Sequence, residues 1–298
     1  AQRYGKPTSL EDYVQKAQLM TYEAERAMFE AYSRNKYASA TGVVQWLLNN
    51  AWPSLIWHLY GYDFSTAGGY FGAKKANEPL HIQYSYDDRS VVVVNQTQAA
   101  SSGLTASVRV YDLDSQQRFA LDFPVELDQD SSTRVMALPE LEHLSATYFV
   151  NVRLLKGPSL LSCNWYWLSS GKPEASDYRR TDWDYTPVTR FSDLRQLRRL
   201  APAVVNASLS AKPAAGSRTL QVELENRSAR IAFFVRLKLV ARASGLVVRP
   251  ALWQDNYLSL LPGEKREIQV DYAESGVTGA VDVEVSGWNV ERSLASGG

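Results

Sequence analysis

One run of nine residues, Gly42 to Asn50, limits what this chain can fold into more than any other stretch. It reads Gly-Val-Val-Gln-Trp-Leu-Leu-Asn-Asn, nearly continuously apolar and closed by two amides, the texture of a parallel strand buried on both faces. Upstream, between Thr8 and about Lys36, the residues Leu10, Tyr13, Val14, Ala17, Met20, Ala24, Ala27, Met28 and Ala31 recur at three- and four-residue spacing. That spacing predicts a long amphipathic helix with this apolar stripe as its buried face. Thr8 and Glu11 fit a capping box, with Pro7 just outside it. A shorter helix is expected around Tyr70 to Ala76, ended ahead of Pro79. Helix followed by buried strand is half of an α/β unit, and a doubly buried strand needs hydrogen-bonding neighbours on both edges. The expectation is that this segment docks on a part lying upstream, or else exposes a sticky surface.

Beyond Leu80 the texture changes to short β-rich runs near His81–Tyr86, Val91–Gln96, Thr105–Tyr111, Arg118–Val125, Thr133–Leu138, Thr147–Leu155 and Ser162–Leu168. Such strands, separated by turn residues, predict an antiparallel Ig-like sandwich. From Ser169 to Pro202 the chain mixes Gly, Pro, charge and aromatics, as a connector does. A second series follows at Asn206–Ala211, Thr219–Glu225, Ile231–Ala241, Val247–Trp253, Tyr257–Leu260, Glu264–Asp271 and Val281–Gly287. The expected division is 1–80 for the α/β segment, 81–170 for one sandwich, 171–202 for the connector and 203–298 for the second sandwich. The two series show no common sequence period.

Composition removes several function classes. Lys plus Arg (32) equal Asp plus Glu (32), so no basic footprint for nucleic acid or anionic membrane is present. No apolar run reaches the roughly 18 to 20 residues that cross a bilayer as a helix. The single cysteine, Cys163, rules out an internal disulfide, and His58, His81 and His143 have no ligand spacing, so neither metal nor other cofactor is expected. Eight Trp and 17 Tyr exceed the usual need of a core, and both residue types also stack on ligands.

Residues 41–86, TGVVQWLLNNAWPSLIWHLYGYDFSTAGGYFGAKKANEPLHIQYSY, resemble the end of the catalytic barrel in exo-β-D-glucosaminidases, which are family 2 glycoside hydrolases related to β-mannosidases. The mannosidase pattern has a similar Trp-Gln-Leu-Asn-Asp-x-Trp-Pro run, and the Asn-Asn-Ala-Trp version at Asn49 to Trp52 favours the glucosaminidase side. Trp183-Asp-Tyr-Thr-Pro-Val-Thr189 and Trp253-Gln-Asp-Asn-Tyr-Leu-Ser-Leu-Leu-Pro-Gly-Glu264 also resemble these families. The resemblance implies the C-terminal segment of a (β/α)8 barrel followed by two Ig-like sandwiches. Gly42–Asn50 would then be the eighth barrel strand and the helix before it the seventh. Barrel active sites lie at the C-terminal ends of the strands, which makes Trp46, Asn49, Asn50 and Trp52 the candidate substrate-binding residues. Trp46 matches the family tryptophan that forms a platform under the non-reducing-end sugar, because rows of pyranose C–H groups pack on an indole plane. Asn49 and Asn50 read equally well as sugar-hydroxyl partners or as loop-capping amides. Trp52 and Trp57 read first as packing at the barrel mouth, with pocket contact for Trp52 the second reading.

Retaining glycoside hydrolysis requires an acid/base and a nucleophilic carboxylate roughly 5 to 5.5 Å apart. In the resembled family both come from earlier barrel strands, so no catalytic residue is expected in this chain. Asn77-Glu78 imitates the Asn-Glu pair of related barrels, but it follows a helix and precedes Pro79 rather than following an apolar strand. Glu11, Glu23, Glu25 and Glu30 fall on the amphipathic helix and read as its solvated face. Three Asn-x-Ser/Thr sequons begin at Asn95, Asn206 and Asn226. The implied partners are the N-terminal remainder of the same enzyme and a chitosan oligosaccharide or glucosamine, and such a substrate implies a secreted or periplasmic location. Two readings compete with this one: a β-mannosidase or other family 2 exo-glycosidase, and a non-catalytic tandem Ig-like carbohydrate-binding or adhesion protein.

Overall fold

The computed structural model describes residues 1–40, 42–54, 58–212, 218–273, 277 and 279–297. Two helices and β-sheets make up these residues, and they divide into two compact units. The first comprises 1–16, 27–43 and 75–200; the second comprises 17–26, 44–74 and 201–298. The first eighty residues therefore form no unit of their own.

Helix α1 spans Leu10–Arg34. Its cap lies one residue later than the sequence pattern suggested. Ser9 is the N-cap and its hydroxyl accepts from the Asp12 N–H, while the Asp12 carboxylate reaches back to the Thr8 N–H at 2.8 Å. Ser9 and Asp12 thus take the place expected for Thr8 and Glu11, with the Asp12 carboxylate holding the residue before the cap rather than the cap itself. Helix α2 spans Gly68–Ala76.

The expected eighth barrel strand does not form. Residues 42–50 have no ladder apart from one parallel bridge between Asn49 and Tyr60, and no barrel segment is evident among the described residues. The physical reason lies in the backbone: a doubly buried parallel strand needs a neighbour on each edge, and none is supplied within these residues. Val44, Trp46, Leu47 and Leu48 are exposed as a result.

The expected burial of α1 is also reversed. Leu10 is 72% exposed, Met20 45%, and Tyr13 and Val14 are exposed as well. The buried residues are instead Lys16, Leu19, Tyr22, Glu23, Arg26, Glu30 and Ser33, which recur at helical spacing on the other side of the cylinder. Glu23 and Glu30, read from the sequence as solvated, lie on this buried side. Polar groups occupy it because partners are available: Lys16 Nζ pairs with Asp12 at 2.8 Å and donates to the Lys6 carbonyl, and the Arg26 guanidinium lies 5.3 Å from the Tyr22 ring centre. Buried charge is tolerated only when partnered in this way.

In the first unit all seven expected strands form: β1 Leu80–Tyr84, β2 Ser90–Asn95, β3 Ser101–Asp112, β4 Gln117–Leu127, β5 Ser131–Ala137, β6 Thr147–Lys156 and β7 Ser159–Ser169. They make two antiparallel sheets, β1-β2-β5 and β4-β3-β6-β7. Alternate residues face inward, so Ile82, Val91, Val93, Val108, Val150, Val152 and Tyr166 fill the core, as sandwich packing requires. The connector carries a short pair, β8 Ala175–Ser176 and β9 Val188–Arg190. The N-terminal residues belong to this unit: the Arg3 carbonyl accepts from the Leu194 N–H, and the Trp167 indole donates to the Tyr4 hydroxyl at 2.9 Å.

In the second unit the strands are β10 Val205–Lys212, β11 Arg218–Asn226, β12 Ala232–Ala241, β13 Ala251–Trp253, β14 Leu258–Leu260, β15 Lys265–Tyr272, β16 Val281–Ser286 and β17 Ser293–Ser296. The sheets are β10-β11-β15-β13 and β14-β12-β16-β17. The strand expected at Val247–Trp253 forms only from Ala251, because Pro250 has no N–H to give a ladder. Strand β17, largely exposed, has too little apolar alternation to be seen in the sequence.

Two of the three sequons are structural. Asn95 and Asn226 each end a strand fully buried. Asn95 Nδ2 donates to the Ala99 and Asp128 carbonyls, and its Oδ1 accepts from the Thr97 N–H and hydroxyl. Asn226 repeats the arrangement in the other unit, with Nδ2 on the Arg230, Leu260 and Leu261 carbonyls and Oδ1 on Ser228. The Asn-x-Ser/Thr pattern here is an Asx-turn that seals a sandwich end. Asn226→Asp would set a carboxylate against three carbonyl oxygens, and a loss of about 3 kcal/mol is expected in urea unfolding. Asn206 is exposed, and its substitution by Asp should cost less than about 0.5 kcal/mol.

Candidate functional site

The candidate residues Trp46, Asn49, Asn50 and Trp52 all belong to the second unit. Their segment is held at one point. The Leu48 carbonyl accepts from the Tyr60 N–H at 3.0 Å, and the Asn50 N–H donates to the Tyr60 carbonyl at 3.2 Å. Tyr60 also bridges Thr66, after a turn in which the Asp63 carboxylate accepts from the Ser65 N–H and hydroxyl. Arg249 pairs with the other Asp63 oxygen at 2.6 Å. Burial pushes the Asp63 carboxyl up, but the Ser65 hydrogen bonds and Arg249 outweigh it and hold it below its usual range.

Both indoles stand in solvent, Trp46 at 70% exposed and Trp52 at 69%. Asn49 is exposed and its Nδ2 donates to the Asn50 carbonyl. Asn50 is buried, and its Oδ1 has no hydrogen-bond partner among the described residues. Trp57 lies outside the described residues. The arrangement can offer an aromatic plane and amide groups to a polyol.

Behind this segment stand Tyr60 and Tyr70, whose rings meet edge to face at 5.0 Å. Burial, together with the hydrogen bond to Tyr60, pushes the Tyr70 hydroxyl up to about 12. The floor is set by the crossing of α1 and α2 within the second unit. A Cβ on Gly68 would stand 2.3 Å from the Gln18 carbonyl oxygen, and one on Gly72 would stand 2.2 Å from that of Tyr22. The Gly68 N–H is taken by Gln18 Oε1 at 2.6 Å. Lys74 Nζ donates to the Trp253 carbonyl, and Phe71 packs on Tyr257 at 5.8 Å between ring centres.

The carboxylates outside this segment are committed to structure or isolated. Glu78 lies in the first unit and is bound by Lys75, His81 and Ser162. Glu25 is half-buried and raised by that burial, and it packs under Gly69. Among the described residues no group of three or more His, Cys, Asp or Glu could hold a metal ion.

Comparisons with known proteins define the class first. Residues 87–172 match the mannosidase Ig/CBM-like domain, and residues 183–290 match the exo-β-D-glucosaminidase Ig-fold domain. The two sandwiches are thus Ig-like domains of the kind found on β-glycosidases. Along its length the chain matches the C-terminal part of exo-β-D-glucosaminidases. It is 44% identical to the exo-β-D-glucosaminidase of Streptomyces avermitilis over 97% of this chain and 33% of the relative. The crystal structure of an Amycolatopsis orientalis exo-chitosanase superposes with a TM-score of 0.94 at 39% identity, over 99% of this chain and 36% of that one. A Dictyoglomus thermophilum β-D-mannosidase shares the fold alone, at 18% identity and a TM-score of 0.65. The chain spans about a third of the length of the relatives it matches.

Proposed function

We propose that this chain is the C-terminal portion of a retaining family 2 exo-glycosidase that releases β-1,4-linked D-glucosamine from the non-reducing end of chitosan oligosaccharides. In the intact enzyme, with the partner strands alongside that this chain lacks, residues 1–80 would complete a (β/α)8 barrel whose acid/base and nucleophile stand on those earlier strands. The likeness to exo-β-D-glucosaminidases over 97% of the chain carries this reading. Two structural features support it. Leu10, Tyr13, Val14 and Met20 of α1 and Val44, Trp46, Leu47 and Leu48 are exposed, as expected of surfaces meant to be covered by the rest of the enzyme. Trp46 presents its indole to solvent, the aromatic plane on which a sugar face packs. Trp46, Asn49 and Asn50 form one wall of the pocket, with Trp52 at its rim. A polymer substrate places the enzyme outside the cell or in the periplasm.

The test is hydrolysis of an aryl β-glucosaminide. The chain alone should give none above buffer, and joining or adding the N-terminal remainder should restore it. Turnover by the purified chain would overturn the proposal. In the intact enzyme Trp46→Ala should lower kcat/KM about tenfold, since a stacked ring is worth about 1.5 kcal/mol. The match of residues 87–172 to a mannosidase domain keeps a β-mannosidase as the second reading. Faster cleavage of an aryl β-mannoside than of the glucosaminide would establish it.

A further inference from the structure

We propose that His81 is a pH-sensitive latch, clamped between Glu30 of α1 and Glu78 after α2, that fixes the last turns of α1 to the first sandwich and weakens as the solution becomes alkaline. Every group involved lies in the first unit. His81 Nε2 is 3.0 Å from Glu30 Oε1, and Nδ1 is 3.3 Å from Glu78 Oε2. An ionised carboxylate only accepts hydrogen bonds, so both ring nitrogens must donate, and only the imidazolium does that. His81 is fully buried and Glu30 is 1% exposed, so the charges have no water to fall back on.

The surrounding groups complete the balance. Tyr166 donates its hydroxyl to Glu30 Oε1 at 2.7 Å, and Ser162 donates to Glu78 Oε2 at 2.6 Å. Lys75 pairs with Glu78 Oε1 at 2.9 Å. Asn164 Nδ2 lies 3.5 Å from His81 Nδ1 but is engaged by the Ile82 carbonyl, and Gln83 Nε2 holds the Glu30 carbonyl at 3.0 Å. Among these four groups, two cations face two anions. The other charges on this seam, Arg34 with Asp87 and Lys36 with Asp130, form separate ion pairs that do not touch the imidazole. Arg26, one turn before Glu30 on α1, is also buried. Loss of the His81 proton leaves one net negative charge inside the cluster and turns one carboxylate against a ring lone pair.

The direction follows from linkage. Burial alone would push His81 down, but its hydrogen bonds to Glu30 and Glu78 outweigh it and raise its pKa above 6.5. A raised folded pKa gives stability that is fully present below the unfolded value and is lost as pH rises through the folded one. Burial likewise pushes Glu78 up, yet Lys75, His81 and Ser162 together bring it to about 2. That contribution is present above the ordinary carboxylate range and is lost as pH falls towards about 2. The latch is therefore tightest in mildly acidic solution.

Imidazole NMR of the whole chain tests the proposal, with His58→Gln and His143→Gln assigning the remaining resonance. His81 should stay protonated well above pH 6.5, and above its midpoint the amides of Ala27 to Arg34 should exchange at least tenfold faster than intrinsic pH dependence allows. Glu30→Gln should bring the midpoint down, and His81→Gln should flatten the fall in Tm between pH 6 and 9. A His81 midpoint at or below 6.5 would overturn the latch. So would exchange of the helix amides that ignores the His81 titration.

Discussion

Replacing Gly72 by valine should unfold the second unit or destabilise it by at least about 3 kcal/mol, the upper range for forcing atoms into a filled site. The obstacle is backbone: an added Cβ would meet the Tyr22 carbonyl oxygen at 2.2 Å and the Tyr22 carbonyl carbon at 3.0 Å. Neither can rotate away, as a side chain could. One turn earlier, Gly68 faces the Gln18 carbonyl in the same manner, so α1 and α2 cross with their backbones nearly touching. The crossing positions the Tyr60–Tyr70 pair behind the candidate site, and Tyr22 in turn packs edge-on against Phe234 of β12 at 5.7 Å. Gly42→Ala is the control, since a Cβ there meets nothing within 4 Å; it should change stability by less than about 0.5 kcal/mol. Urea unfolding followed by tryptophan fluorescence measures both. A Gly72→Val chain as stable as the parent would mean that the helices do not cross as described.

Glu30→Ala should cost about 3–5 kcal/mol, the range for removing one partner of a buried charge pair. The substitution leaves the His81 Nε2 donor and the Tyr166 hydroxyl facing a void where Glu30 Oε1 had been 3.0 Å and 2.7 Å away. Glu30→Gln keeps the volume and one acceptor, so its loss should be smaller, about 1–3 kcal/mol. The order of the two variants separates charge from packing. Equal losses would point to shape alone, and a Glu30→Ala loss below about 1 kcal/mol would contradict the buried network altogether.

The sandwich strands were legible because β-rich runs are separated by turn residues, some alternating with a period of two, as in Leu220–Glu225 or Ile268–Tyr272, and others continuously apolar, as in Val91–Val94. The site was legible only in part. Trp46, Asn49, Asn50 and Trp52 came from the family resemblance, and the structure describes them as two exposed indoles and a pair of amides beside Tyr60. Tyr60 and Tyr70 carry no local pattern, since their pairing depends on the turn around Asp63 and on α2. Asn95 and Asn226 matched a modification motif, yet their side chains are spent on carbonyls up to 35 residues away.

What the sequence alone determined is the kind of element each segment becomes: helices over α1 and α2, antiparallel strands after Leu80, and a run at Gly42–Asn50 written for burial. Periodicity and capping are local, so they survive without the rest of the molecule. Which face of α1 is buried was decided only by tertiary structure. Apolar patterning favours the side of Leu10, Tyr13 and Met20, but burial requires a surface to bury against. Over Leu10 to Met20 that side finds little among the described residues, and Ala27, Met28 and Ala31 are only half-buried. The opposite side carries Glu30, whose partners His81 and Tyr166 lie 51 and 136 residues away, and no window of sequence reveals that such distant groups will satisfy a buried charge.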